Sequence, residues 1–130
     1  MKKKNKFLMP VLIIIAVIIL VGIGAKTYLE ANLNKVANAV IPEMDLTNTE
    51  DGVYAGRYHA FPVMVEVEVT VKSHAITEIK LVKHVNGQGT KAEVITDKVI
   101  DRQSLQVDVV SGATYSSKVI LKAIENALSK

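Results

Sequence analysis

The chain has 130 residues, 49% of them hydrophobic and 22% charged, with a formal net charge of +3 and no cysteine. The lack of cysteine excludes disulfide scaffolds, thiolate metal sites, iron–sulfur clusters and thioether-linked haem, so any redox chemistry must come from a bound cofactor. Six of the 16 basic residues precede Asp51, and from there on ten basic residues stand against nine acidic ones, so no basic face interleaved with aromatics is visible and nucleic acid is set aside as a partner.

Residues 1–6 read as a basic tail carrying Lys2, Lys3, Lys4 and Lys6. The next segment, residues 7–25, is FLMPVLIIIAVIILVGIGA, uncharged throughout. As a helix it would be about 28 Å long, the thickness of a bilayer's hydrocarbon core, and it reads as a transmembrane anchor. Clustered lysines next to a span stay on the cytoplasmic side, so the expected topology is single-pass in the cell membrane, N-terminus inside and all that follows Lys26 outside. A cleaved signal peptide is the rival reading, but its apolar run is normally shorter and no clean small-x-small site precedes Lys26.

Residues 26–50 read as a helical stalk and linker. Tyr28, Leu29, Leu33, Val36, Ala37 and Val40 suit one helix face until Pro42, and MDLTNTED is polar enough for a linker. A spacer is the simpler reading and a dimerising helix the alternative.

The remaining residues, 51–130, are enough for one modest core. Asp51-Gly52 opens a strand, VYAGRYHA, that Pro62 ends. VMVEVEVTV places Val at each odd position from Val63 to Val71, which makes a strand with one apolar face, and a tight reversal at Lys72–Ala75 leads into ITEIKLVK as an antiparallel hairpin. HVNGQG, His84 to Gly89, reads as a loop. TKAEVITDKVIDRQ carries Ala92, Ile95 and Val99 at helical spacing, with Val94 and Ile100 widening the stripe. SLQVDVV reads as a short extended strand and SGATYSS as a turn whose serine caps a final helix, SKVILKAIENALSK, with Val119, Ile120, Ala123, Ile124, Ala127 and Leu128 on its apolar face. The expected fold class is α+β: a small antiparallel sheet with helices packed on one face, preceded by one N-terminal transmembrane helix.

Candidate chemistry concentrates at Asp108 to Ser117, DVVSGATYSS, which brings four Ser and Thr hydroxyls and small residues to the mouth of a helix. Unpaired N–H groups and the helix dipole suit such a place to a phosphate, although Ser and Thr ahead of a helix also serve as plain caps. His59, His74 and His84 have no metal-ligand spacing on one helix and read as solvated or packed, with His84, at the head of HVNGQG, the one that could face a ligand. Gly87-x-Gly89 is a poor nucleotide fingerprint, and Glu66 and Glu68 read as a solvated rim.

DVVSGAT, Asp108 to Thr114, resembles the motif of the FMN-binding domains found in membrane electron-transfer proteins, such as subunits of sodium-pumping quinone reductases and related extracytoplasmic flavoproteins. The opening DGVYAGRY, the valine-rich hairpin and the closing helix are similar to the same family. The resemblance implies FMN attached through its phosphate to the Thr114 hydroxyl, by a flavin transferase that uses FAD and Mg²⁺. Asp108 would be part of what that enzyme recognises. Ser111, Gly112 and Ala113 would shape the turn, and Tyr115, Ser116 and Ser117 would lie close to the ribityl phosphate. The function implied is that of an electron carrier between a membrane-bound donor and an unidentified acceptor, not a complete enzyme. A non-redox anchored module that binds a ligand or partner is the alternative, and a Ser/His hydrolase ranks behind both.

Overall fold

Valine at every second position of Val63–Val71 decides which face of the sheet is covered, and the rest of the domain is built on that face. The computed structural model describes residues 5–85 and 89–129 and divides the chain into two compact units, Met1–Leu33 and Asn34–Lys130.

Helix α1, Asn5–Ala37, runs unbroken through the expected anchor and the first half of the expected stalk. It is long and apolar enough to cross a membrane, and its side chains from Leu12 (61% exposed) to Ile23 (59% exposed) are bare. A helix in lipid keeps such side chains on its surface, because its backbone bonds are all internal. The last turn of α1 and the residues after it do not hang free. Val36 and Ile41 are buried in the core of the second unit, and Met44 and Leu46 pack on it. Backbone carbonyls fasten the same stretch: Gln106 Nε2 donates to Ile41 O, Lys118 Nζ to Ala39 O at 3.1 Å, and His74 Nδ1 lies 3.1 Å from Leu46 O. MDLTNTED, polar as it is, is laid onto the domain.

The sheet has three antiparallel strands in the order β1 (Gly52–Ala60), β2 (Val63–Lys72) and β3 (Ala75–Val85). Its inner face sets Tyr54, Gly56, Tyr58 and Ala60 opposite Val69, Val67, Val65 and Val63, with Ile76, Ile79 and Leu81 continuing the apolar rows on β3. The outer face is polar. Arg57, Glu66 and Lys83 form one cross-strand row, and Ala55, Glu68 and Lys80 the next, so each glutamate is flanked by at least one cation. The β2–β3 reversal puts Ser73 (φ 51°) and His74 (φ 62°) in the left-handed region, as a two-residue hairpin turn of the primed type requires. Asp51 Oδ1 accepts from Ser73 N at 2.7 Å and ties that turn to the start of β1.

A short 3₁₀ helix, Gly89–Val94, precedes α2, Ile95–Arg102, and α3 covers Thr114–Leu128. The single helix expected over TKAEVITDKVIDRQ is therefore two tighter and looser pieces, as is common at helix starts. Ala92, Ile95 and Val99 are fully buried as expected, whereas Val94 is 53% exposed and does not widen the stripe. Helix α3 packs on β1 and β2, and α2 on β3. In α3, Val119, Ile120, Ala123, Ile124 and Ala127 are buried, Leu128 is half-buried, and Leu121 joins them. At Gly56 a Cβ would lie 2.2 Å from Ala123 O and 2.5 Å from Ala127 N, so the helix backbone rests directly on the strand.

Three expectations need correction. SLQVDVV, 104–110, is not a strand, because side chains take up its backbone groups before a ladder can: Ser104 Oγ accepts from Gln106 N at 2.9 Å, Lys98 Nζ donates to Asp108 O at 3.5 Å, and Ser117 Oγ accepts from Val110 N at 3.0 Å. Next to it, the Gln103 amide bonds both Ile76 N and Ile76 O at 2.7 Å, standing in for one rung of a missing strand at the edge of β3. His84 does not open a loop: it belongs to β3 opposite Val65 and turns inward, 2.9 Å from Glu93 Oε1. The rest of that expected loop, Asn86 to Gln88, lies outside the described residues, as do Met1 to Lys4 of the basic tail. The third correction concerns the start of α3, where no serine is the cap.

Candidate cofactor site

The run Val110–Thr114 folds as it does for two local reasons. Ala113 N donates to Val110 O at 2.9 Å, which closes a four-residue turn, and the third residue of that turn, Gly112, has φ +78°. A type II turn demands that sign at that position, which glycine supplies without a steric penalty. A Cβ on Gly112 would meet nothing within 4 Å, so torsion alone calls for glycine here.

Helix α3 begins at Thr114 with Ala113 at the cap position and no side chain capping it. Its first-turn N–H groups therefore lack the oxygen that a Ser, Thr, Asp or Asn would bring, and its first turn has no carboxylate. Thr114 itself is exposed at the first helical position. An open hydroxyl beside uncapped N–H donors and the positive end of a helix dipole fits a phosphate group.

Ser116 and Ser117 are buried at the underside of the same turn. The Ser117 hydroxyl accepts from Val110 N and donates to Ala113 O at 2.8 Å, holding the turn from inside the helix. This explains why it does not cap: it serves Val110 N across the loop, a part-buried donor that would otherwise lack this acceptor. Tyr115 is half-buried, and its hydroxyl sits 2.9 Å from Ala60 O and 3.0 Å from Phe61 O, donating to that pair of carbonyls at the β1–β2 turn. Burial raises the Tyr115 phenol above its ordinary pKa of 10.0, and the neighbouring Tyr58 pushes the same way. Ser111 and Gly112 are exposed at the tip. Asp108 is exposed further back, in a shallow depression with Lys98, Asp101, Arg102 and Val107.

The structure thus brings Ser111, Gly112, Ala113, Thr114, Tyr115, Ser116 and Ser117 into one turn and helix start, with Asp108 on the α2 side. It also adds Tyr58, Ala60 and Phe61, more than fifty residues away in the chain. No spacing rule in the sequence could have brought these to Tyr115. Among the described residues no group of three His, Asp or Glu side chains is set to hold a metal ion.

The model of the FMN-binding domain family matches residues 62–129, which takes in β2, β3, α2, the turn and α3. No curated protein and no solved structure gives a match. The match spans more than half of the chain and ends on the helix that presents Thr114; the chain belongs to the FMN-binding domain family, and FMN is its cofactor.

Proposed function

We propose that this protein is a membrane-anchored electron carrier whose FMN is joined through its phosphate to Thr114, with α1 in the cell membrane and the domain on the non-cytoplasmic side. The observation that carries the reading is the exposed Thr114 hydroxyl at an uncapped helix start, inside the DVVSGAT run of a chain that binds FMN. Attachment would be a phosphoryl transfer from FAD. The Thr114 oxygen bonds to the flavin-side phosphorus, the pyrophosphate bond breaks, AMP leaves, and the hydroxyl proton passes to solvent. A flavin transferase with Mg²⁺ would perform it, reading Asp108 and the turn.

When bound, FMN supplies the redox chemistry, and the chain's part is to hold and surround it. The α3 N–H groups would face the phosphate charge, Gly112 would keep the tip narrow, and Ser117 would fix the turn. A membrane-bound donor and a further acceptor would exchange electrons with it. Lys2, Lys3, Lys4 and Lys6 ahead of a single apolar helix support the orientation.

The test is intact mass and visible absorbance of the full chain produced with an exported flavin transferase, beside Thr114→Ala. A yellow protein heavier by one FMN phosphodiester, with both signals lost in the variant, is the expected result. A colourless wild type without added mass would instead leave a non-redox module.

A further inference from the structure

We propose that the flavin transferase docks on the α2 side of the turn as well as on the turn itself, with Lys98 and Arg102 as the groups that receive carboxylates of the enzyme; this rests on the attachment at Thr114 proposed above. The depression on that side, about 210 Å³, is lined by Lys98, Asp101, Arg102, Val107 and Asp108. Two cations and two carboxylates thus share one small concavity, and among the described residues none of the four is in an ion pair.

The depression is held in shape by the chain itself. Lys98 is half-buried, and its ammonium donates to Asp108 O at 3.5 Å, which ties the middle of α2 to the segment leading into the turn. Arg102 follows four residues later in the same helix, so both cations lie on one side of α2. Two residues beyond Asp108, Val110 N donates to Ser117 Oγ at 3.0 Å, so a short, hydrogen-bonded stretch joins the depression to the helix that carries Thr114.

The charge pattern selects the kind of partner. A free phosphate or nucleotide brings only negative charge, and would meet Asp101 and Asp108 beside the two cations. A protein surface can offer carboxylates to Lys98 and Arg102 and donors to Asp101 and Asp108 together, and such complementarity fixes register and speeds encounter. Arg102 is suited to a bidentate carboxylate contact. Helix α2 and the DVVSGAT run then form one composite docking surface, with Asp108 common to both.

Such a surface acts chiefly on the rate of encounter, and salt screens it. The experiment follows FMN mass gain of the full chain in detergent, with limiting transferase and FAD, at low and at high salt. The chains compared are wild type, Arg102→Gln, Lys98→Gln with Arg102→Gln, and Lys80→Gln with Lys83→Gln. The last removes the same charge from the outer face of the sheet, where those lysines pair across strands with Glu68 and Glu66. Among the described residues Arg102 has no ion pair to lose, so its variant keeps the fold, and urea midpoints check the other two. The expected result is initial loading slowed severalfold in the α2 double variant and less in Arg102→Gln, with the gap closing at high salt. The outer-face variant should load at the wild-type rate, and all should reach the same final mass. Wild-type loading in the α2 double variant, or equal slowing in the outer-face variant, would overturn the docking while leaving the attachment standing. A wild type that gains no mass would remove both.

Discussion

Gly56 and Gly112 look alike in the sequence, each in a glycine-containing motif, yet they serve the fold for opposite reasons. Gly56 lies in an ordinary strand with no room above it, since α3's backbone occupies the place where a side chain would begin. Gly112 has open space on every side and a backbone torsion that other residues rarely adopt. The first is a demand of packing between two elements distant in the chain, the second a demand of one turn on itself. Core and turn are thus built to different tolerances, and substitutions should separate them.

The largest effect is expected at the seat of the helix. Gly56→Ala must move α3 off β1, and overpacking of this severity should cost about 3 kcal/mol, read as a lower urea midpoint for the full chain in detergent. Ser117→Ala should come next at about 2 kcal/mol, because Val110 N loses the oxygen it donates to, while Ala113 O keeps the Ser117 N–H. Gly112→Ala, strained by its torsion alone, should cost about 1.5 kcal/mol and lower the flavin load measured by mass. A Gly112→Ala loss equal to that of Gly56→Ala would erase the distinction between the two glycines.

Tyr115→Phe is expected to cost about 1 kcal/mol near neutral pH, through the bond to Ala60 O and Phe61 O. Its pH dependence carries a sign. A phenol pKa raised in the folded state means that the contribution is present below the ordinary value of 10.0 and is lost as pH rises through the folded value. Stability of the wild type should therefore fall more steeply than that of Tyr115→Phe in alkaline urea titrations. The smallest effect on stability belongs to Thr114→Ala, an exposed residue with little to lose, at under about 0.5 kcal/mol, although it should remove the FMN mass altogether.

How much of this was legible beforehand follows from the range of each interaction. Val63–Val71 and the α3 stripe declare themselves because their periods are local, and the DVVSGAT turn does so through glycine and small residues in a short span. SLQVDVV misleads because Leu105 and Val107 alternate for the sake of the core, while the backbone between them is satisfied by Ser104, Lys98 and Ser117. A serine before an apolar run reads as a cap only until the fold shows that Ser117 has work across the loop. The packing of Ile41, Met44 and Leu46 was hidden in the same way, since a polar stretch with three spaced apolar residues looks like a linker when its partners lie far along the chain, as Gln106 does from Ile41 and His74 from Leu46. Tyr58 and Phe61 beside Tyr115 are another case, joined only once β1 and α3 are stacked.

The bond from Ser117 to both sides of its turn also bears on timing. A turn closed by its own serine is held by bonds internal to the chain, with Thr114 exposed beside it. On the proposed reading, maturation then has a fixed order, in which the chain crosses the membrane, folds, and is loaded last. A transferase working on this protein would recognise a finished surface and not a stretch of unfolded peptide, and its rate would follow the folded fraction of its substrate.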